Sequence, residues 1–322
     1  MNQPLHWGIL GLGTIAREFA GWMQQTGRPF SVASRSEEKA KAFAAEFAAK
    51  QAYGSYEELL ANPAVQAVYV ATPHSNHYEY MLQCLRAGKH VLCEKAITVN
   101  ARQLEEVCGL AKQKGLVVGE AMTIFHMPLY RRLEEFLRSG TLGRVQMVDV
   151  TFGCLMPYDA SNRYFNPELA GGALLDIGTY SLSFARCFMP FDGGEVLTAV
   201  QPAMTGVDEQ SGILIKNKGG QIASVTLAMR GMMPARGVVA CEGGFVEVTG
   251  FPRAATAQVT YADGRIQTIE AGDTSLAMRY EVEDFEQAVA GGGDSTLVLT
   301  RDVVAVMTEA RERWGIVYPF EQ

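Results

Sequence analysis

Leu5-His6-Trp7-Gly8-Ile9-Leu10-Gly11-Leu12-Gly13-Thr14-Ile15-Ala16 is the stretch that decides the fold. Trp7 to Leu10 is a short apolar run, as a buried strand requires. It passes straight into Gly11-x-Gly13-x-x-Ala16. Ile15, Phe19, Trp22 and Met23 then recur at helical spacing until Gly27 closes the segment. Strand, glycine-rich turn and helix in that order form a dinucleotide-binding fingerprint, whereas the glycine pattern alone would be weak. Gly11 permits the tight turn, Gly13 lets backbone approach a pyrophosphate, and Ala16 allows close packing of helix on strand. The helix start at Thr14 and Ile15 then offers unpaired N–H groups to phosphate.

The same rhythm continues outward from this stretch. Strands are expected at 30–33, 67–71, 90–93 and 117–118. Helices are expected from Ser36 as N-cap, over 78–87 with Asn76 as the capping residue, and from Asn100 to about Lys114. Strand–helix alternation with short turns predicts a doubly wound parallel sheet. Beyond Gly143 the pattern changes. A long alternating strand over 145–154 and one apolar helix over 172–189 precede strands near 196–203, 210–217, 221–229, 236–240, 244–248, 256–261 and 265–270. Helices over 277–290 and 300–314 end the chain. The fold class expected is α/β: a doubly wound parallel domain over 1–121, then an α+β domain over 122–322 with an open, mainly antiparallel sheet. The final helix is expected to pack back on the first domain.

The chain has 322 residues, enough for two domains, with 48% hydrophobic and 20% charged residues. A net charge of −7 without a basic run argues against nucleic acid or an anionic membrane as partner. The apolar segments stop well short of the ~18 residues that a membrane helix needs. With a strand beginning near residue 5, no signal peptide is expected. The six cysteines form no CxxC and read as reduced thiols in a cytoplasmic protein.

Four places carry chemistry. The second strand ends Ala33-Ser34-Arg35-Ser36, and Ser34 stands 18 residues after Ala16. NAD sites place an acid there, but no Asp or Glu precedes Glu37. Arg35 can fork onto a phosphate, with Ser34 and Ser36 as hydroxyl donors, so NADP(H) is favoured and NAD(H) is the alternative. Ala71-Thr72-Pro73, with Asn76 and His77, falls at a strand's C-terminal edge, where open α/β sheets bind ligands. His74 and His77 lack the further ligands of a metal site, so no metal is expected. Glu94-Lys95 ends the next strand. Lys95 there is either a general acid/base or a loop lysine paired with Glu94. In the second half, Asp176 and Tyr180 are four apart on one helical face. They are either core groups or substrate contacts in an interdomain cleft.

With these motifs in view, the chain resembles the glucose-fructose oxidoreductase / inositol dehydrogenase / rhizopine-catabolism family over essentially its whole length. Glu120-Ala121 and Gly171-Gly172-Ala173-Leu174-Leu175-Asp176-Ile177-Gly178 add to the likeness. Residues 71–95 look most like the dimeric dihydrodiol dehydrogenases, a branch that also oxidises D-xylose. The resemblance implies a Rossmann domain and an NAD(P)-dependent oxidoreductase acting on CH–OH groups of a sugar, polyol or cyclic diol. It implies that Lys95 and Tyr180 handle the hydroxyl proton and that Asp176 binds or orients the substrate. It also implies that Arg163 lies near the cofactor, and that a homodimer or homotetramer forms through the C-terminal sheet. Three departures stand out. Ala96 replaces the family's usual proline after Glu-Lys, Asn162 stands for a common Trp, and Phe125 stands for a common Arg. Ala96 implies a different backbone around Lys95, and with it a rival reading as a cofactor-binding sensor with weak catalysis. Redox-assisted glycoside cleavage with tightly held NAD is a further reading, disfavoured by Arg35.

Overall fold

All four residues of β1 (Trp7–Leu10) are buried, as a strand covered on both faces must be. The computed structural model describes residues 4–292 and 296–321. Within these the chain divides into two compact units, one drawing on 4–98, 102–121 and 281–297, the other on 99–101, 122–280 and 298–321.

In the first unit β1 leads into α1 (Thr14–Thr26), which ends where Gly27 turns left-handed. Then follow β2 (Phe30–Ala33), α2 (Glu37–Phe47), β3 (Ala52–Tyr53), α3 (Tyr56–Ala61), β4 (Ala67–Val70), α4 (His74–Arg86), β5 (His90–Glu94), α5 (Ala101–Lys114) and β6 (Val118–Ala121). Ser36 and Ser55 cap α2 and α3 through their hydroxyls, accepting from Lys39 N and Glu58 N. The sheet order is β3-β2-β1-β4-β5-β6 with every pairing parallel. The strand order reverses between β1 and β4, the switch point at which such sheets bind ligands. Phe19 stacks on Tyr69 with centroids 3.9 Å apart, and Trp7 meets Phe19 edge-on. Each such pair adds about 0.5–1.5 kcal/mol beyond its burial.

The sequence expected α4 to begin after Asn76, but the helix starts at His74. Pro73, at φ −60° and ψ 151°, is the N-cap. Proline's fixed φ suits this position, and its missing N–H is no loss where helix amides are unpaired anyway. Asn76 therefore lies inside the first turn, its amide donating to Pro73 O at 2.9 Å. The short pair β3 and α3 carries too little periodicity to have been read.

In the second unit α6 (Pro128–Arg138) precedes β7 (Val145–Leu155), and α7 (Thr179–Phe188) precedes β8 (Glu195–Pro202). The sheet continues with β9 (Asp208–Lys216), β10 (Ile222–Ala228), β11 (Arg230–Cys241), β12 (Gly244–Thr249), β13 (Thr256–Tyr261) and β14 (Ile266–Glu270). Its order is β14-β13-β12-β11-β7-β10-β9-β8. β7 and β10 run parallel and the other neighbours antiparallel, so the sheet is mainly antiparallel as expected. One face buries Val148, Val150, Ile213, Val225, Val239 and Val246, and α7 packs across β7, β10 and β11. On the other face Leu197 pairs with Leu214, and Ile222 with Met147. These four are exposed, Leu197 by 52% and Leu214 by 45%. α8 (Ala277–Gln287) begins in this unit and belongs to the first from Glu281 onward, and α9 (Leu297–Trp314) lies in the second unit from Val298 onward.

The apolar helix expected over 172–189 is not regular. Leu174–Gly178 is π-helical and only then does α7 begin. The Thr179 amide reaches back to Leu174 O, widening the turn that carries Asp176. Such widened turns recur at functional sites. Among the described residues no helix is long and apolar enough to cross a membrane.

Candidate active site

At the end of β1, Gly11 turns with φ +87°, and a Cβ there would lie 2.6 Å from Ala71 O. Only glycine lets the turn sit this close to the end of β4. Gly13 is the N-cap of α1, and no side chain caps that helix. No acidic residue stands in its first turn, and a Cβ at Gly13 would meet nothing within 4 Å. Thr14 and Ile15 follow, the former exposed and the latter half-buried, while Ala16 is buried against the sheet. The helix start is thus an open, uncapped set of N–H donors suited to an anion.

Ser34, Arg35 and Ser36 form the turn after β2. Ser34 Oγ accepts from Ser36 N at 3.2 Å, and Ser36 Oγ accepts from Lys39 N at 3.4 Å. Arg35 is exposed and makes no hydrogen bond or ion pair among the described residues. After β4, Ala71 N donates to Leu10 O at 2.8 Å. Thr72 Oγ1 is buried without a hydrogen-bond partner among the described residues, directly beside Gly11. A buried orphan hydroxyl is costly unless something completes it. The uncapped helix, the free guanidinium and this hydroxyl fit a phosphorylated dinucleotide along the switch point.

His77 departs from expectation. It is fully buried, with Nδ1 2.9 Å from Ala96 O and Nε2 2.7 Å from Thr72 O. Burial is the largest influence on its pKa and lowers it. Both ring nitrogens thus face main-chain carbonyls, the single N–H of a neutral ring serving one of them, and neither is left to face a ligand. His74 Nε2 donates to Lys95 O at 3.0 Å, so two successive carbonyls are held from α4. Among the described residues no group of three or more His, Cys, Asp or Glu is arranged to hold a metal.

Glu94 and Lys95 are half-buried at the end of β5. The Glu94 carboxylate is not reserved for the lysine. It accepts from the Tyr69 hydroxyl, and from Lys95 N at 3.3 Å. The Lys95–Ala96 peptide bond is cis, although residue 96 is not proline. Beyond it Ile97 N donates to Glu120 Oε1 at 3.0 Å, with Glu120 buried on β6. Glu94, Glu120, His74 and His77 together pin the main chain on both sides of Lys95. No residue pattern announced Tyr69 as a partner of Glu94, since it reads only as a core strand residue.

In the second unit Asp176 is 8% exposed, and its Oδ1 accepts from Arg163 Nη1 at 3.1 Å. The Arg163 guanidinium lies 4.1 Å from the Tyr164 ring centroid and donates to its hydroxyl at 2.9 Å. Arg163, expected beside a cofactor, is thus engaged by Asp176 within its own unit. Tyr180 is half-buried in the first turn of α7. Cys154 lies near enough to feel Asp176: burial first, then that negative charge, raises its thiol pKa.

Comparison with known proteins agrees with this architecture. Residues 5–122 match the model of an oxidoreductase family with an NAD-binding Rossmann fold, and residues 130–286 match the GFO/IDH/MocA C-terminal domain. The chain is 29% identical to trans-1,2-dihydrobenzene-1,2-diol dehydrogenase of Xenopus laevis, covering 97% of this chain and 99% of that one. It is 31% identical to D-xylose 1-dehydrogenase (NADP(+)) of Hypocrea jecorina, covering 98% and 93%. Among solved structures, the 3-ketoreductase KijD10 of Actinomadura kijaniata superposes with a TM-score of 0.82 over 95% of this chain and 96% of that one, at 24% identity. The chain belongs to the GFO/IDH/MocA family of oxidoreductases.

Proposed function

We propose that the protein is a dehydrogenase or reductase that uses NADP(H) in preference to NAD(H). Its substrate is a small polyhydroxylated molecule: a sugar, a polyol or a cyclic diol. The observation that carries this reading is the pinned Lys95 at the C-terminal edge of the same sheet whose glycine turn presents bare helix N–H groups. In this reading residues 1–121 bind the dinucleotide and 122–322 the substrate. Gly11, Gly13, Thr14 and Ile15 hold the pyrophosphate. Ser34, Arg35 and Ser36 hold the ribose 2′-phosphate. Ala71, Thr72, Pro73, Asn76 and Glu94 line the remaining length, while His77 acts one layer behind. Bound nicotinamide supplies the hydride chemistry.

The chain's own residues handle the proton and the orientation. Lys95 Nζ takes the hydroxyl proton during oxidation and returns it during reduction. Tyr180 assists through its phenol. Asp176, paired with Arg163, accepts hydrogen bonds from substrate hydroxyls and so orients the reacting carbon. That curated relatives act on a diol and on xylose, one of them with NADP(+), supports the substrate class and the cofactor. The test is turnover, read from the absorbance of reduced nicotinamide, against aldoses, polyols, cyclic diols and dicarbonyls with each cofactor. Turnover on one class is expected. Retained cofactor binding with no turnover on any class would leave a sensor in place of an enzyme.

Two further expectations belong to this reading. Arg35→Asp removes the fork and adds a carboxylate that can hold a 2′-hydroxyl. It should shift the ratio of kcat/KM for NADP over NAD by roughly 10- to 100-fold toward NAD, the worth of one charged hydrogen bond. An unchanged ratio would put the 2′-phosphate contact elsewhere. The second concerns assembly. The exposed Leu197, Leu214, Ile222 and Met147 on one face of the eight-stranded sheet support a homodimer or homotetramer formed through that face. Light scattering should give a dimer or tetramer mass for wild type and a lower mass for Leu214→Glu. A monomeric wild type would sink the proposal. A cytoplasmic setting is supported by the six free thiols.

A further inference from the structure

Asp208, the first residue of β9, is only 1% exposed. Its Oδ2 accepts the Leu174 amide N–H at 2.6 Å. Leu174 begins the π-helical turn that holds Asp176 and runs on into α7 with Tyr180. The N-cap of that segment is Ala173, which has no side-chain oxygen. The cap is instead a carboxylate from a strand 34 residues away in sequence. A carboxylate there satisfies an otherwise orphan donor and complements the helix dipole.

The neighbourhood is shaped around this contact. Gly172 has φ +125°, and a Cβ there would lie 2.1 Å from Asp208 Oδ1. Oδ1 itself has no hydrogen-bond partner among the described residues. One residue earlier, Gly171 O accepts from the Tyr318 hydroxyl at 2.8 Å. Arg311 lies over the Tyr318 ring at 4.1 Å and donates to Val99 O at 2.6 Å and Ile316 O at 3.1 Å. It also pairs with Glu321. An apolar residue would fill the Asp208 site without the penalty of a buried charge, so packing alone does not account for it.

We propose that Asp208 is a positioning residue for the substrate side of the reaction: its carboxylate fixes the first turn of the segment that aims Asp176 and Tyr180. The inference rests on the reading of Asp176 as the substrate-orienting group. Burial pushes the Asp208 carboxyl up to about 6, opposed by the Leu174 N–H, its own N–H, Arg311 and the Ala173 N–H. Tyr318 also feels this charge. Above that pH the bond to Leu174 is charge-assisted. Below it the carboxyl is protonated and the bond is weaker.

The test is Asp208→Asn in the full chain, with Asp176→Asn and the double variant alongside. Asp208→Asn should lower kcat/KM roughly 10- to 100-fold, chiefly through KM, since a displacement of about 1 Å in an orienting group has effects of that size. Cofactor affinity should not change. The fall of wild-type kcat/KM below about pH 6 should vanish in the variant. Because Asp208 acts in large part through Asp176, the double variant should lose clearly less than the product of the two single losses. A double variant as poor as the product of the two singles, or a single variant with wild-type kcat/KM, overturns the inference. Wild-type kcat/KM in Asp176→Asn overturns the site reading itself, and this inference with it. If Asp208→Asn does not fold, amide exchange of wild type decides. Protection of residues 173–176 that weakens below about pH 6 supports the role, and constant protection overturns it.

Discussion

Lys95→Met should remove turnover, lowering kcat roughly 10²- to 10⁴-fold, while cofactor affinity stays within a few-fold of wild type. Methionine keeps the length of the side chain and loses the proton. General acid–base catalysis contributes about that range, and no other factor in the reaction is touched. Part of the surroundings is held by groups other than the ammonium. Glu94 is held by the Tyr69 hydroxyl and the Lys95 amide, and the Lys95 carbonyl is held by His74. The backbone on either side therefore stays where it is when the side chain changes. Turnover would be followed by reduced-nicotinamide absorbance, and cofactor binding by fluorescence titration. A variant that loses binding yet turns over normally at saturating cofactor would refute the assignment.

Gly11→Ala should be the most damaging small substitution in the first unit. A methyl there would stand 2.6 Å from Ala71 O and 2.8 Å from Ala71 C, both backbone atoms that cannot swing aside. The residue also holds φ +87°, a conformation that only glycine adopts freely. The chain escapes only by moving the turn away from β4, which breaks the Ala71 N to Leu10 O bond and the cradle beneath it. A loss of about 2–4 kcal/mol in stability is expected from strain and clash together. Cofactor affinity should fall at least roughly tenfold, since tenfold corresponds to only about 1.4 kcal/mol. Denaturant unfolding and cofactor titration check the two halves separately. Wild-type values in both would mean that the turn is not the phosphate cradle.

Much of the first unit was legible before any coordinates. Trp7 to Ala16 announces a strand, a turn and a helix. Ser36 announces a cap, and Gly27 announces a stop. These are local signals: period, glycine, hydroxyl. The ends of β2, β4 and β5 followed, and with them Arg35, Thr72 and Lys95 at the edge of one sheet. Legibility failed where local signals compete. Asn76 is a good cap in isolation, but Pro73 ends the preceding backbone and the helix starts earlier. The π-helical turn at Leu174–Gly178 has the same apolar spacing as an α-helix, so periodicity could not separate them.

By itself, then, the sequence determined the strand–turn–helix that opens the chain, the parallel first sheet, the change to hairpins after Gly143 and the residues to watch at the strand ends. Each depends on residues within a few positions of one another, where propensity and spacing carry the information. Only the tertiary structure decided that His77 is buried between Thr72 and Ala96, that Tyr69 holds Glu94, that Arg163 pairs with Asp176 and that Asp208 caps Leu174. These are polar groups removed from water, and each needs a partner once buried. Which partner it finds depends on how strands and helices distant in the chain come to lie side by side, and no local period encodes that.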